Sequence, residues 1–196
     1  MSRSAVPGSL VAVSVAAADL DLVRAQLGRP PRGVVEVAHR CAACGAPTVV
    51  RTAPRLDDGT PFPTSFYLTD PRLSSAIGRL EAGGVMAEMA ERLAQDDDLA
   101  ARYRAAHEDY LRRRAELGEV PEIDGITAGG MPERVKCLHA LVAHALAAGP
   151  GVNPFGDQAL ALIGDWAGAG ICPAHHPDVR PDVRPDVRPS GAGERS

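Results

Sequence analysis

The chain has four cysteines and six histidines, the residue types best suited to hold a metal or to serve as nucleophile and base. Cys41 and Cys44 stand as a CxxC in "HRCAACGAP". At the tip of a turn that spacing makes two thiolates converge while turn amides hydrogen-bond the sulfurs, which is how a zinc knuckle grips its ion. Two such pairs would be a strong signal, but the second half here is not a clean CxxC. The choices are Cys137 with His139 in "VKCLH", or Cys172 followed by His175 and His176 in "CPAHH", with His39 and His144 as further candidates.

Helix geometry narrows the set. Cys137 and His144 are separated by roughly 10 Å along a helix axis, too far to share one ion. Cys137 and His139 point about 160° apart on a regular helix and converge only if the first turn is irregular, which "AGGMPERV" upstream permits. The simplest reading takes one ligand from this helix, giving a four-thiolate zinc site of Cys41, Cys44, Cys137 and Cys172. The plainer readings are that Cys137 is a small core hydrophobe, that His144 is a satisfied edge histidine, and that His175 and His176 are solvated. Redox chemistry at the CxxC ranks below metal, because its first cysteine follows a strand instead of opening a helix.

A second constellation lies around the same helix. Gly129 and Gly130 precede its N-terminus, with Arg134 and Lys136 close by. Free amides, the helix dipole and two cations together attract an anion. His139 would add an acid or base there. The plainer reading is a glycine-assisted turn. The chain shows no nucleophile elbow, phosphate-binding P-loop or dinucleotide fingerprint.

The elements that must position these groups follow from periodicity. "DLDLVRAQLG" reads as a helix capped by Asp19. Val34–Cys41, Thr48–Ala53 and Thr64–Asp70 read as three strands, the first two a hairpin with the CxxC at its tip. From Pro71 the apolar period becomes helical, with a break at Gly83-Gly84. A polar helix capped by Asp96 or Asp97 puts Leu99, Tyr103, Ala106, Tyr110 and Leu117 inward, and Arg112, Arg113 and Arg114 read as an exposed basic patch. The helix of "RVKCLHALVAH" has Pro132 in its first turn, and Asp157–Trp166 makes a last short one. The expected fold is α+β: a small three-stranded antiparallel sheet against a bundle of four to six helices.

A length of 196 residues fits one domain. Its bounds read as an extension over 1–18, a single domain over 19–172 and a disordered PDVR-repeat tail over 173–196. "SLVAVSVAAA" has some features of a secretory signal, but it is short and a helix follows at once, so the compartment reads as cytoplasmic. A net charge of −4 gives no nucleic-acid footprint, and no apolar run is long enough for a membrane span.

The phrases "APRLDDGTPFPTSFYLTDPRLSSAIGRLEAGGVM", "AHEDYL" and "GGMPERVKCLHALVAHALAAGPGVNPFGDQAL" resemble the actinobacterial family known as domain of unknown function 501. The resemblance covers roughly Asp19 to Cys172 and carries no assigned activity. It implies a gene neighbourhood with a septum-formation initiator and an exopolyphosphatase, and so a protein partner linked to cell division or phosphate metabolism. The leading reading is a cytoplasmic, zinc-stabilised binding or regulatory protein. The rival is an enzyme or sensor for a small phosphorylated or carboxylated ligand held by Gly129, Gly130, Arg134, Lys136 and His139.

Overall fold

The computed structural model describes residues 15–167. Cys172, His175, His176, most of the N-terminal extension and the PDVR tail lie outside the described residues. Within them run α1 (Ala17–Leu27), β1 (Val34–Arg40), β2 (Pro47–Thr52), β3 (Phe66–Leu68), α2 (Pro71–Ala82), α3 (Val85–Gln95), α4 (Asp97–Ala115), α5 (Leu138–Ala148) and α6 (Pro154–Ile163). Two short 3-10 turns, Pro121–Ile123 and Ala128–Gly130, fill the long connection between α4 and α5. The fold is α+β. The sheet is antiparallel in the order β1-β2-β3, with Val37 opposite Val50 and Val49 opposite Leu68. Among the described residues no helix is long and apolar enough to cross a membrane.

Local chemistry explains the boundaries. The Asp70 carboxylate accepts from the amides of Arg72 and Leu73, and Pro71 supplies a preset φ, so α2 starts there. Asp96 caps α4 through the Leu99 amide, and Asn153 caps α6 through the Gly156 amide, opening that helix at Pro154, before the expected Asp157. Asp19 is not a cap. It lies in the first turn of α1 and pairs through both oxygens with Arg40, at 2.9 and 2.7 Å, tying α1 to the hairpin tip.

Helix α5 forms the middle of the core, packing against β3 on one side and α6 on another. Its burial exceeds the expected stripe, since Leu138, Leu141, Val142, Ala143, His144 and Ala145 are all buried. Gly156 makes the α6 contact close: a β-carbon there would collide with the Leu141 carbonyl oxygen and approach Ala145 Cβ to 2.6 Å. The inner face of α4 carries Leu99, Tyr103, Ala106 and Tyr110 as expected, but its fifth place is taken by Arg114. Arg114 does not join a surface patch: its guanidinium is buried and donates to the carbonyls of Ile123 and Ile126 in the loop after α4. Arg112 and Arg113 are held by Asp109.

His144 is central, not peripheral. It stacks on Phe66 and meets Tyr110 edge-on, with Nε2 3.0 Å from Asp109 and Nδ1 3.2 Å from the Asn153 amide nitrogen. Asn153 can only donate from that nitrogen, so Nδ1 accepts and Nε2–H donates, the neutral tautomer. Burial holds His144 below the ordinary histidine value, with Asp109 pulling the other way and the Arg113 and Asp157 charges acting at longer range. Burial raises Asp109, but hydrogen bonds from Arg113, Arg112 and His144 outweigh it and leave the carboxyl lowered. At neutral pH the His144 term is silent. Below about pH 6.5 the unfolded chain takes up a proton that the native site resists, so stability falls. The stabilisation at Asp109 is present above its unfolded value and lost as pH falls through its lowered native value. The difference in urea midpoint between the wild type and His144→Gln should therefore change between pH 7 and 5, with the His144 contribution falling as pH falls.

Candidate functional site

Cys137 is the N-cap of α5, and this corrects the expected helix start at Pro132. Its backbone is extended, with φ −152° and ψ 110°. The preceding segment closes one i→i−4 turn, Arg134 N–H to Gly130 O at 2.9 Å, but Lys136 N–H then reaches back seven residues to Gly129 O at 2.8 Å instead of to Pro132 O, so no helix propagates. The Met131–Pro132 peptide bond is cis. The loop requires glycine. Gly129 and Gly130 have φ of +85° and +93°, and β-carbons there would come within 2.8 Å of Leu141 Cδ2 and 2.9 Å of Lys136 Cβ. Tyr103 pins the loop from below by donating to Arg134 O at 3.0 Å.

With Cys137 outside the helix and His139 inside its first turn, the two side chains converge instead of diverging. Helix α2 supplies the rest. Ser74 and Glu81 are seven residues apart, two turns of one helix, and so share a face. Glu81 Oε1 accepts from Leu138 N–H at 2.7 Å and lies 3.2 Å from His139 Nδ1. His139 Nε2 lies 3.2 Å from the Ser74 carbonyl oxygen. Both oxygens can only accept, so both ring nitrogens must donate and the ring is an imidazolium. The ligand atoms of Glu81, Cys137 and His139 all lie within 4.8 Å of one another.

Electrostatics agree with the geometry. His139 is raised to about 9, first by the Cys137 sulfur and then, against burial, by the charge and hydrogen bond of Glu81. The Cys137 thiol is lowered, mainly by the His139 hydrogen bond, with burial and the Glu81 charge opposing. The Ala140 N–H leans toward the sulfur and adds to the effect without closing a cap hydrogen bond. Cys137 and His139 thus meet at a helix N-terminus, the thiol shifted toward its charged form and the ring held charged beside a carboxylate. This is the arrangement that activates a cysteine nucleophile.

The pair lies on the wall of a cavity of about 1010 Å³ bounded by β3, the start of α2, the 125–134 loop and the first turn of α5. Gly129, Gly130, Arg134, Lys136 and His139, the five residues assigned to an anion site from sequence, all line it. Arg134 and Lys136 are exposed and neither is ion-paired among the described residues. Ser74 and Glu81 were invisible to local reading because they lie more than fifty residues upstream. Their only trace is that both fall on one stripe of a well-capped helix.

Of the expected four-thiolate set, Cys172 lies outside the described residues. Cys41 and Cys44 approach to 3.6 Å at the hairpin tip. Among the described residues Cys137 does not join them within ligand distance but groups with Glu81 and His139. Burial pushes Cys41 up, yet the amides of Ala43 and Cys44, the Cys44 thiol and Arg72 more than offset it and leave the thiol lowered.

Among known families, the one described as "Protein of unknown function (DUF501)" matches residues 37–161. No curated protein and no solved structure matches the chain.

Proposed function

The chain belongs to the DUF501 family, and from that premise we propose that it is an enzyme acting on a small phosphorylated or carboxylated ligand through Cys137. The observation that carries this reading is the Glu81–His139–Cys137 cluster, whose His139 and Cys137 lie on the wall of a cavity also lined by Arg134 and Lys136. The two cations and the glycine loop recognise the anionic group. The thiolate adds to an electrophilic carbon beside it, with the His139 charge supporting the sulfur, and the leaving group takes its proton from water. Glu81 and the Ser74 carbonyl fix the ring, so its charge is in place before substrate arrives. A reducing, cytoplasmic compartment keeps such a thiol free, and the neighbourhood of phosphate metabolism makes phosphate the first probe to try.

A second reading places zinc on Glu81, Cys137 and His139, with one position open. It is favoured by the mutual approach of the three donors within 4.8 Å. It ranks second because both His139 nitrogens already face oxygen acceptors, so zinc would have to break one of those contacts.

Inorganic phosphate and citrate test the primary reading. Either ion at millimolar concentration should slow iodoacetamide labelling of Cys137, and Arg134→Ala with Lys136→Ala should remove the protection. Labelling that neither ion slows would refute the anion site. Stoichiometric zinc that disappears in Cys137→Ser would replace the nucleophile with the metal.

A further inference from the structure

The tip of the β1–β2 hairpin holds two sulfurs that the cleft does not use. The Cys41 amide donates to Ala46 O and the Gly45 amide to Cys41 O, both at 2.8 Å, so the chain between them closes into one tight turn. Gly45 sits at φ +72°, the left-handed conformation that lets the chain turn back after Cys44. The turn brings Cys41 and Cys44 to within 3.6 Å of each other. That is contact distance, and a disulfide of about 2.0 Å is one short closing movement away.

The two cysteines differ in their surroundings. Cys41 is buried, whereas Cys44 is half-buried on a stretch of small residues, with Ala42, Ala43 and Gly45 all exposed. A reagent from solution therefore meets Cys44 first. Burial opposes charge on the Cys41 sulfur, but the amides of Ala43 and Cys44, the Cys44 thiol and Arg72 outweigh it. Arg72 Nη2 lies 3.8 Å from that sulfur and is itself held by the buried Asp70 carboxylate at 2.9 Å. The turn amides and the guanidinium thus do for Cys41 what a helix N-terminus does elsewhere for the first cysteine of a CxxC. The pair opens no helix, which is why redox chemistry ranks below metal in a local reading.

We propose that Cys41 and Cys44 are a redox-active dithiol, which closes to a disulfide by exchange with small disulfides and reopens in reductant. Cys44 is the entry sulfur: its thiolate attacks one sulfur of the small disulfide, expels one thiol and is left in a mixed disulfide. The Cys41 thiolate then attacks the Cys44 sulfur and expels the second thiol. Two electrons and two protons pass from the pair to the small disulfide, which leaves as two thiols. The proposal shares no residue with the cleft and stands whether or not Cys137 is a nucleophile.

Oxidised glutathione is the probe. The full-length chain, reduced and desalted, is held in a series of glutathione redox buffers, quenched in acid, alkylated and digested with trypsin. Cleavage after Arg40 and Arg51 puts both sulfurs, and no others, in one peptide. In the native chain that peptide should lose both alkylation sites and two hydrogen masses together, and dithiothreitol should restore them. Closure should be about tenfold faster than in the urea-unfolded chain, because the turn holds the sulfurs together beforehand. Cys41→Ser should stop at a stable mixed disulfide on Cys44. Because that variant could fail to fold, the wild-type kinetics provide an independent readout. A native tip that keeps both thiols in buffers that oxidise the unfolded chain, closure no faster in the native chain than in the unfolded one, a wild-type mixed disulfide on Cys44 that never closes, or a stoichiometric metal ion held by the two sulfurs would each overturn the proposal.

Discussion

Leu141→Ala should destabilise the domain by about 2–5 kcal/mol, as large-to-small changes in a packed core do. Leu141 is fully buried in the middle of α5, and its carbonyl and side chain are each pressed by a glycine that has no room for a β-carbon. Gly156 of α6 lies against its carbonyl, and Gly129 of the cleft loop lies against its Cδ2. Backbone packed that closely on both sides cannot collapse into the vacated space, which places the cost toward the upper part of the range. The loss should also reach the cleft, because the truncated side chain is the floor of the Gly129–Gly130 loop. Chemical denaturation gives the first number, and the labelling rate of Cys137 under native conditions gives the second. A variant as stable as the wild type would show that α5 is not the centre of the core. A destabilised variant with unchanged Cys137 reactivity would show that loop and core are uncoupled.

The second large effect belongs to His139→Ala. An ordinary thiol is only a few per cent ionised at neutral pH. A thiolate held by an imidazolium is mostly ionised, and its lower intrinsic nucleophilicity cancels only part of that gain. Removing the ring should slow alkylation of Cys137 at pH 7 by roughly tenfold. Glu81→Gln should act through the ring: it keeps the amide acceptor for Leu138 but removes the charge that supports the imidazolium. Its effect should therefore be smaller than that of His139→Ala and in the same direction. If Glu81→Gln instead accelerated the reaction, the direct charge of the carboxylate on the sulfur, which opposes the thiolate, would outweigh its support of the ring.

Much of this architecture is legible in the sequence, because local signals and packing agree there. The β-branched runs around the CxxC become β1 and β2, the Gly83-Gly84 break separates α2 from α3, and an aspartate caps α4. The cleft loop is legible as a stretch, with its glycines and cations in the right order. What local reading misses is set by long-range contacts. Pro132 suggests a helix start, yet the Gly129 carbonyl captures the Lys136 amide that a helix from Pro132 would have used. Moving the start to Leu138 reverses the relation of Cys137 to His139, from opposite faces of one helix to neighbours across a cap. Glu81 looks like any solvated carboxylate until α2 packs beside α5. Arg114 looks exposed until the chain after α4 folds back and presents its carbonyls.

The account stands on Cys137 being an activated thiolate in the folded chain. Peptide-resolved mass spectrometry can follow iodoacetamide labelling of Cys137 at pH 6.5, in the native protein and in the same protein unfolded in urea. The account predicts that folding accelerates the reaction, although it half-buries the sulfur, and that His139→Ala removes the acceleration. A Cys137 that reacts more slowly in the native chain than in the unfolded one would contradict it.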